Sequence, residues 1–187
     1  VLFKMRRYED AIELAEFAMI DEPEDMRLRV TLASSYMAIG EYESAIHVLS
    51  TTGLPDSVFR GWRSLTEYEG YMVLQNALYE IGQIEMAQDL AMFTVEQGYT
   101  PSYTWWGTVM EACDRAILRQ EDEARDALRR AQKGRMLVWD FWLKDAPCLK
   151  YFSDDPVYQD TINHFDELRA RLRERLPTTL AEMGVEL

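Results

Sequence analysis

Two histidines, two cysteines and a dense run of carboxylates are the residues of this chain whose types could do chemistry. A histidine acting as general base needs a nucleophile or an orienting carboxylate within reach. His47 and His164 each sit instead inside an apolar-periodic segment and read as surface or structural residues. The chain has no Gly-rich phosphate loop, no His pair enclosing a Glu, and no nucleophile elbow. Cys113 and Cys148 could pair, but nothing in their neighbours points to it, and they are read as free thiols in a reducing compartment. Two Cys and two distant His lack the spacing of a metal site. The acidic run QEDEARDALRR (120–130) sets charges four residues apart, as a solvated helix does. A cation site would need a tight, fixed loop there. No catalytic residue, no metal and no cofactor is expected.

If the residues do no chemistry, they must serve a surface, and composition narrows what that surface meets. With 187 residues, 48% of them hydrophobic and 28% charged, the chain has the composition of an ordinary globular domain or a short repeat array. Its net charge of −13 repels phosphate backbones and argues against nucleic acid. The same charge serves solubility, or attracts a basic or amphipathic partner. Apolar runs are only a few residues long, so no membrane span is expected. VLFKMRRYED becomes charged too early for a signal peptide, and a cytoplasmic location is the expectation. The chain starts on Val1, inside what proves to be a repeat, and is read as part of something longer.

The elements that carry this surface are helices. Apolar residues recur at three and four positions, as in Ala11, Leu14, Ala15, Ala18 and Met19, or Leu28, Leu32, Tyr36 and Ile39. Helices are expected over 8–21, 26–39, 42–52, 65–81, 84–97, 102–118, 122–133 and 156–175. Punctuation agrees: SLTE (64–67) is a capping box, and TPSY (100–103) and DDPVY (154–158) place proline just after a cap. Gly40, Gly53, Gly82 and Gly98 mark helix ends or turns. One phrase also occurs twice: RRYEDAIELAEFAMIDEP (6–23) is echoed by GEYESAIHVLS (40–50), with Ala11 and Ala45 separated by 45 − 11 = 34 residues. Two helices per 34-residue period is the mark of a helix-turn-helix repeat array, in which each pair stacks on the next.

On these residues the chain resembles the tetratricopeptide repeat family. Tyr8, Ala11, Ala15, Ala18 and Pro23 follow the spacing of the family's second helix. The next repeat supplies Leu32, Ala33, Tyr36, Gly40, Tyr42, Ala45 and Leu49 in the family's order. A weaker third repeat carries Tyr71, Leu74, Leu78, Gly82, Ile84, Ala87 and Ala91, and a faint fourth carries Ala112, Ala124, Leu128 and Ala131. Spacings of 87 − 45 = 42 and 124 − 87 = 37 imply insertions, the longer one in TTGLPDSVFRGW, read as a loop or short helix. The expected architecture is all-α, a right-handed solenoid over 1–133 with a truncated first repeat. The second to fourth repeats span 26–52, 65–98 and 102–133, and a divergent capping segment spans 134–187. Ile162, Phe165, Leu168 and Leu172 would be the apolar edge of the cap.

The resemblance implies a non-catalytic module that holds a protein or peptide in its concave face, on the first helix of each pair. The expected lining is Arg27, Val30, Ser34 and Met37, then Glu69, Met72, Asn76 and Tyr79, then Trp106, Val109 and Cys113. Flexible Met and rigid aromatics suit adaptable recognition. The carboxylate clamp that grips acidic chaperone tails is missing, because Val30, Ser34, Val73, Trp106 and Met110 stand where it needs Lys, Asn and Arg. Of Trp62, Trp105, Trp106, Trp139 and Trp142, all but Trp106 are read as core filling. The capping segment is similar to those that close repeat arrays in bacterial regulatory proteins, so a scaffold or sensory arm of such a protein is expected. The alternatives are an acidic secretion-chaperone type shielding amphipathic clients, and a homo-oligomerisation module that would form a homodimer.

Overall fold

A computed structural model of the chain describes residues 2–50, 65–96, 105–133 and 141–184. A 3-10 turn (Phe3–Met5) leads into α1 (Tyr8–Asp21), α2 (Met26–Ile39) and α3 (Tyr42–Ser50). Then come α4 (Leu65–Glu80), α5 (Ile84–Glu96), α6 (Trp105–Ile117) and α7 (Glu121–Gln132). A π-helical turn (Phe141–Asp145), the short α8 (Pro147–Lys150) and the long α9 (Pro156–Glu182) complete the chain. Every described element is helical, as the apolar period predicts.

Local chemistry accounts for where these helices start and stop. The Asp25 carboxylate accepts from the Arg27 amide (2.8 Å) to cap α2, and Asp155 accepts from Val157 (2.8 Å) to cap α9 ahead of Pro156. Gly40 (φ +87°) ends α2 in the left-handed region, with Glu41 N donating to Tyr36 O at 2.9 Å and Gly40 N to Met37 O at 3.2 Å. Gly82 (φ +83°) repeats that closure after α4. The third such turn, after α6, uses Arg119 (φ +61°), which lacks glycine's freedom. Gly53, Gly98, the TPSY signal, Ser64 of the capping box and the TTGLPDSVFRGW insertion lie outside the described residues.

Packing follows the order of the chain. Each of α1 to α7 packs on the next, and α2 with α4 and α4 with α6 also meet directly, forming an inner layer. Alanines make these crossings close: Ala33, Ala45, Ala77, Ala87, Ala91 and Ala112 are fully buried. A side chain no larger than a methyl lets two backbones approach, and Tyr8, Tyr68 and Tyr71 fill wider gaps. The first half of α9 lies on α7 and buries Tyr158, Thr161 and Phe165.

Three apolar assignments are corrected. Leu14, Ile39 and Leu172 are exposed, although the helical stripes include them. The stripe on α1 is narrower than its apolar content, because α1 packs chiefly on α2. For α9, the helix runs beyond residue 175 and through Pro177 to Glu182, past the body that would bury Leu172.

Ala45 faces the α2–α3–α4 seam with no free space, so Ala45→Leu forces the helices apart. We predict a loss of about 1–3 kcal/mol and a lower Tm by thermal melting, with Leu14→Ser on the exposed side within about 0.5 kcal/mol of wild type.

Candidate partner-binding site

The inner layer of α2, α4 and α6 is built from positions one helical turn apart, which puts Val30, Ser34 and Met37, then Met72, Asn76 and Tyr79, then Val109 and Cys113 in three rows. All eight are buried. The chain's own segment 141–152 packs on α4 and α6, with Trp142 beside Val30 and Ser34, bringing together residues far apart in sequence. The Cys148 amide donates to Asn76 Oδ1 at 2.9 Å, while Asn76 Nδ2 donates to Met72 O at 2.7 Å and so is held in place. Cys148 is also bonded to Cys113 as a disulfide, with the two Cα atoms 5.1 Å apart. The reading of both cysteines as free thiols is therefore corrected. They sit on α6 and α8, whose packing brings their sulfurs together.

Aromatic contacts fix both ends of the segment. The Tyr151 ring meets Tyr79 edge-on at 5.4 Å, the Arg119 guanidinium lies 5.7 Å and 5.8 Å from the two ring centres, and Tyr151 Oη donates to Glu80 at 3.2 Å. Thus the strained residue at the third turn has a task that glycine could not perform. At the other end, Tyr8 donates to Asp145 (2.8 Å), Arg6 pairs with Asp145 (2.6 Å), and Tyr158 donates to Leu143 O (2.6 Å). Burial, and then the Asp145 hydrogen bond, hold the Tyr8 phenol well above its ordinary range.

Trp142 is buried, as its reading as core filling expects, and it stands over the start of the inner layer. Beside it a notch of about 130 Å³ is lined by Phe3, Lys4, Val30, Thr31, Ser34, Glu69 and Trp142. Glu69 is half-buried here; desolvation pushes its carboxyl up to about 7 against the opposing charge of Lys4. Arg27, on the same helix as Val30, is exposed and pairs with Asp25 at 2.7 Å. The helix α6 includes Trp106, whose side chain lies outside the described set. His47 is exposed on α3, and His164 stacks edge-on against Phe165 at 5.2 Å. Among the described residues, no group of three His, Cys, Asp or Glu is placed to hold a metal, and no helix is long and apolar enough to cross a membrane.

One buried group escaped the sequence reading. Asp114 is fully buried on α6; its carboxylate accepts from Gln75 Nε2, and its Oδ2 lies 2.6 Å from Thr94 Oγ1. That hydroxyl also lies 2.8 Å from Ala91 O, which can only accept. A single hydroxyl proton serves both neighbours if Asp114 is protonated and donates to Thr94. Desolvation pushes its carboxyl up to about 8, against the hydrogen bonds of Thr94 and Gln75 and the charge of Arg115. A signal was available: Asp114 stands four residues after Met110 and three before Ile117, on the apolar face.

Because the folded chain holds a proton on Asp114 that the unfolded chain releases near pH 4, the contribution of Asp114 to stability is greatest below that pH and falls as pH rises toward 8. Glu69 adds to the fall between its unfolded value and about 7. We predict that Asp114→Asn, which keeps the polar contacts, raises stability at pH 8 by on the order of a few kcal/mol and flattens the profile. Denaturant melts at pH 5 and 8 check this; overlaid profiles would mean that Asp114 is ionised when buried.

Comparison with known proteins adds one match. The model of the tetratricopeptide repeat family matches residues 2–65. No curated protein and no solved structure was found to be similar to the chain. The matched segment takes in α1, α2 and α3, with Tyr8, Ala11, Ala15, Ala33, Tyr36, Gly40 and Ala45 at the positions described above. Tetratricopeptide repeats mediate interactions between proteins, and the fold is a non-catalytic one. Residues 2–65 are thus similar to tetratricopeptide repeats, and the described helices that follow are stacked in order in the same all-α manner.

Proposed function

We propose that the chain is a protein-interaction module whose inner layer recognises a peptide or protein segment, as the scaffold or sensory arm of a larger regulatory protein. One observation carries the reading: an inner-layer side chain, Asn76, holds the backbone amide of an inserted segment, at Cys148. A held amide with flanking apolar and aromatic contacts is how a repeat surface grips extended chain, because backbone hydrogen bonds supply affinity and side-chain pockets supply selectivity. Segment 141–152 therefore acts as a ligand in cis.

A partner in trans meets what that segment leaves open. The notch beside Trp142 has room for one or two side chains, with Lys4 and Glu69 giving it both signs of charge. The net charge of −13 favours a basic or amphipathic partner and speeds its encounter. Displacing segment 141–152 outright would be harder, since a tethered segment competes at an effective concentration in the millimolar range. In this reading Arg27, Val30, Ser34 and Glu69 meet the partner, whereas Met37, Met72, Asn76, Tyr79, Val109 and Cys113 form the floor beneath the inserted segment.

A displayed peptide library selected on the full chain provides the probe. Thr31→Trp fills the notch from a half-exposed position and should weaken the selected peptides at least tenfold, about 1.4 kcal/mol, without lowering the Tm. Unchanged affinity in Thr31→Trp would remove the inner layer from the account.

A further inference from the structure

Two cysteines are all that the chain has, and the fold sets both at one place. Cys113 lies on α6 in the inner layer, and Cys148 lies on the four-residue α8 within segment 141–152. The bond between them spans 35 residues. The seams between successive helices from α1 to α7 hold through buried side chains, and a chain of this length has core enough to fold without a cross-link. What the bond constrains is the position of the segment on the inner layer.

Residues 146–152 lie between two fixed points. Ahead of them, Asp145 is held by Tyr8 at 2.8 Å and by Arg6 at 2.6 Å. Behind them, Asp155 caps α9 and pairs with Arg125 at 2.7 Å, and α9 packs on α7. Between these points Cys148 is tied to the inner layer twice, by its amide on Asn76 Oδ1 at 2.9 Å and by its sulfur on Cys113. The hydrogen bond breaks and re-forms whenever the flap moves, whereas the covalent bond keeps the amide at its seat. Leu149 is buried beside it, while Tyr151, at the end of the flap, is 57% exposed.

We propose that Cys113–Cys148 is a redox latch on the inner layer. The disulfide locks residues 146–152 in place, and a dithiol reductant frees them to lift from Met72, Asn76 and Tyr79. Both sulfurs are buried, so exchange follows local opening of α8 from the exposed Tyr151 end. A thiolate of the reductant attacks Cys148 Sγ, and the S–S electron pair leaves on Cys113 Sγ, which takes up a proton. The second thiolate of the reductant resolves the mixed disulfide, Cys148 leaves and is protonated, and the reductant ends as a disulfide. The chain gains two electrons and two protons. Since Asp145 and Asp155 keep the flap near its seat, a disulfide oxidant restores the latch. The latch regulates the inner layer, and its use in recognition rests on the reading of that layer as a peptide seat.

Amide exchange of the full chain, equilibrated with oxidised glutathione or with dithiothreitol, tests the latch. Reduction should speed exchange at the residue 148 amide at least about tenfold, by returning freedom to the cross-linked loop, and leave Ala33 and Ala45 unchanged. Cys113→Ala and Cys148→Ser should show the faster rate in both conditions, and the wild-type comparison needs neither variant. An exchange rate at residue 148 that ignores reduction overturns the inference, as do two free thiols after the glutathione step. An equal loss of protection at Ala33 also overturns it, since that marks a staple of the whole fold. In a second arm, the synthetic peptide 141–152 carrying Cys148→Ser should bind the reduced chain at least about tenfold tighter than the oxidised one, by NMR titration into the millimolar range. Faster exchange with no gain in peptide binding upholds the latch and removes the surface beneath the flap from the peptide-binding reading.

Discussion

Helix hairpins joined through alanine seams cover one another on the seam side only. That constraint governs the rest of this molecule. The side of α2, α4 and α6 facing away from the outer helices carries Val30, Met37, Met72, Tyr79 and Val109, and leaving such side chains in water costs about 1.5–3 kcal/mol for each large one. Bending a stack concentrates this surface into a hollow. The chain answers with its own residues 141–152, seated by the Asn76–Cys148 hydrogen bond, the Cys113–Cys148 bond and the Tyr79–Tyr151–Arg119 cluster. The segment thus occupies the inner layer over α4 and α6, and a notch remains beside Trp142.

Two departures from local rules make sense once this seated segment is considered. Arg119 holds a left-handed conformation that Gly40 and Gly82 adopt without strain at the equivalent turns, at a backbone cost on the order of 1 kcal/mol. Its guanidinium then lies against both tyrosine rings that anchor the end of the segment. Asp114 places a carboxyl in the core between α4 and α6, where Gln75 and Thr94 satisfy it as a neutral acid. A polar group in this seam ties the register of α4, α5 and α6 together, since each helix contributes one member of the trio.

The parts of this fold that are legible in sequence are those set by neighbours a few residues apart. The periods of α1 to α7, the Gly40 and Gly82 turns and the Asp155-Pro156 cap depend on spacing within one or two turns of helix. Their limits agree with expectation to within a few residues. The seated segment was not legible, because Cys148 meets Asn76 across 72 residues and Cys113 across 35, and no local pattern encodes either approach. Leu14 and Leu172 show the same limit from the other direction. Each has the right spacing for burial, yet whether a face is covered depends on which element arrives there, and a helical period cannot say.

Amide hydrogen exchange at Cys148 tests the seated segment most directly. The residue is second in a four-residue helix, too short to protect its own amides, so protection there reports on Asn76 and the surrounding inner layer. Seating of residues 141–152 on α4 and α6 predicts exchange at least about a thousandfold slower than in a free peptide of the same sequence, even at residues with no place in a longer helix. Exchange at the free-peptide rate would show the inner layer standing open and would contradict the account.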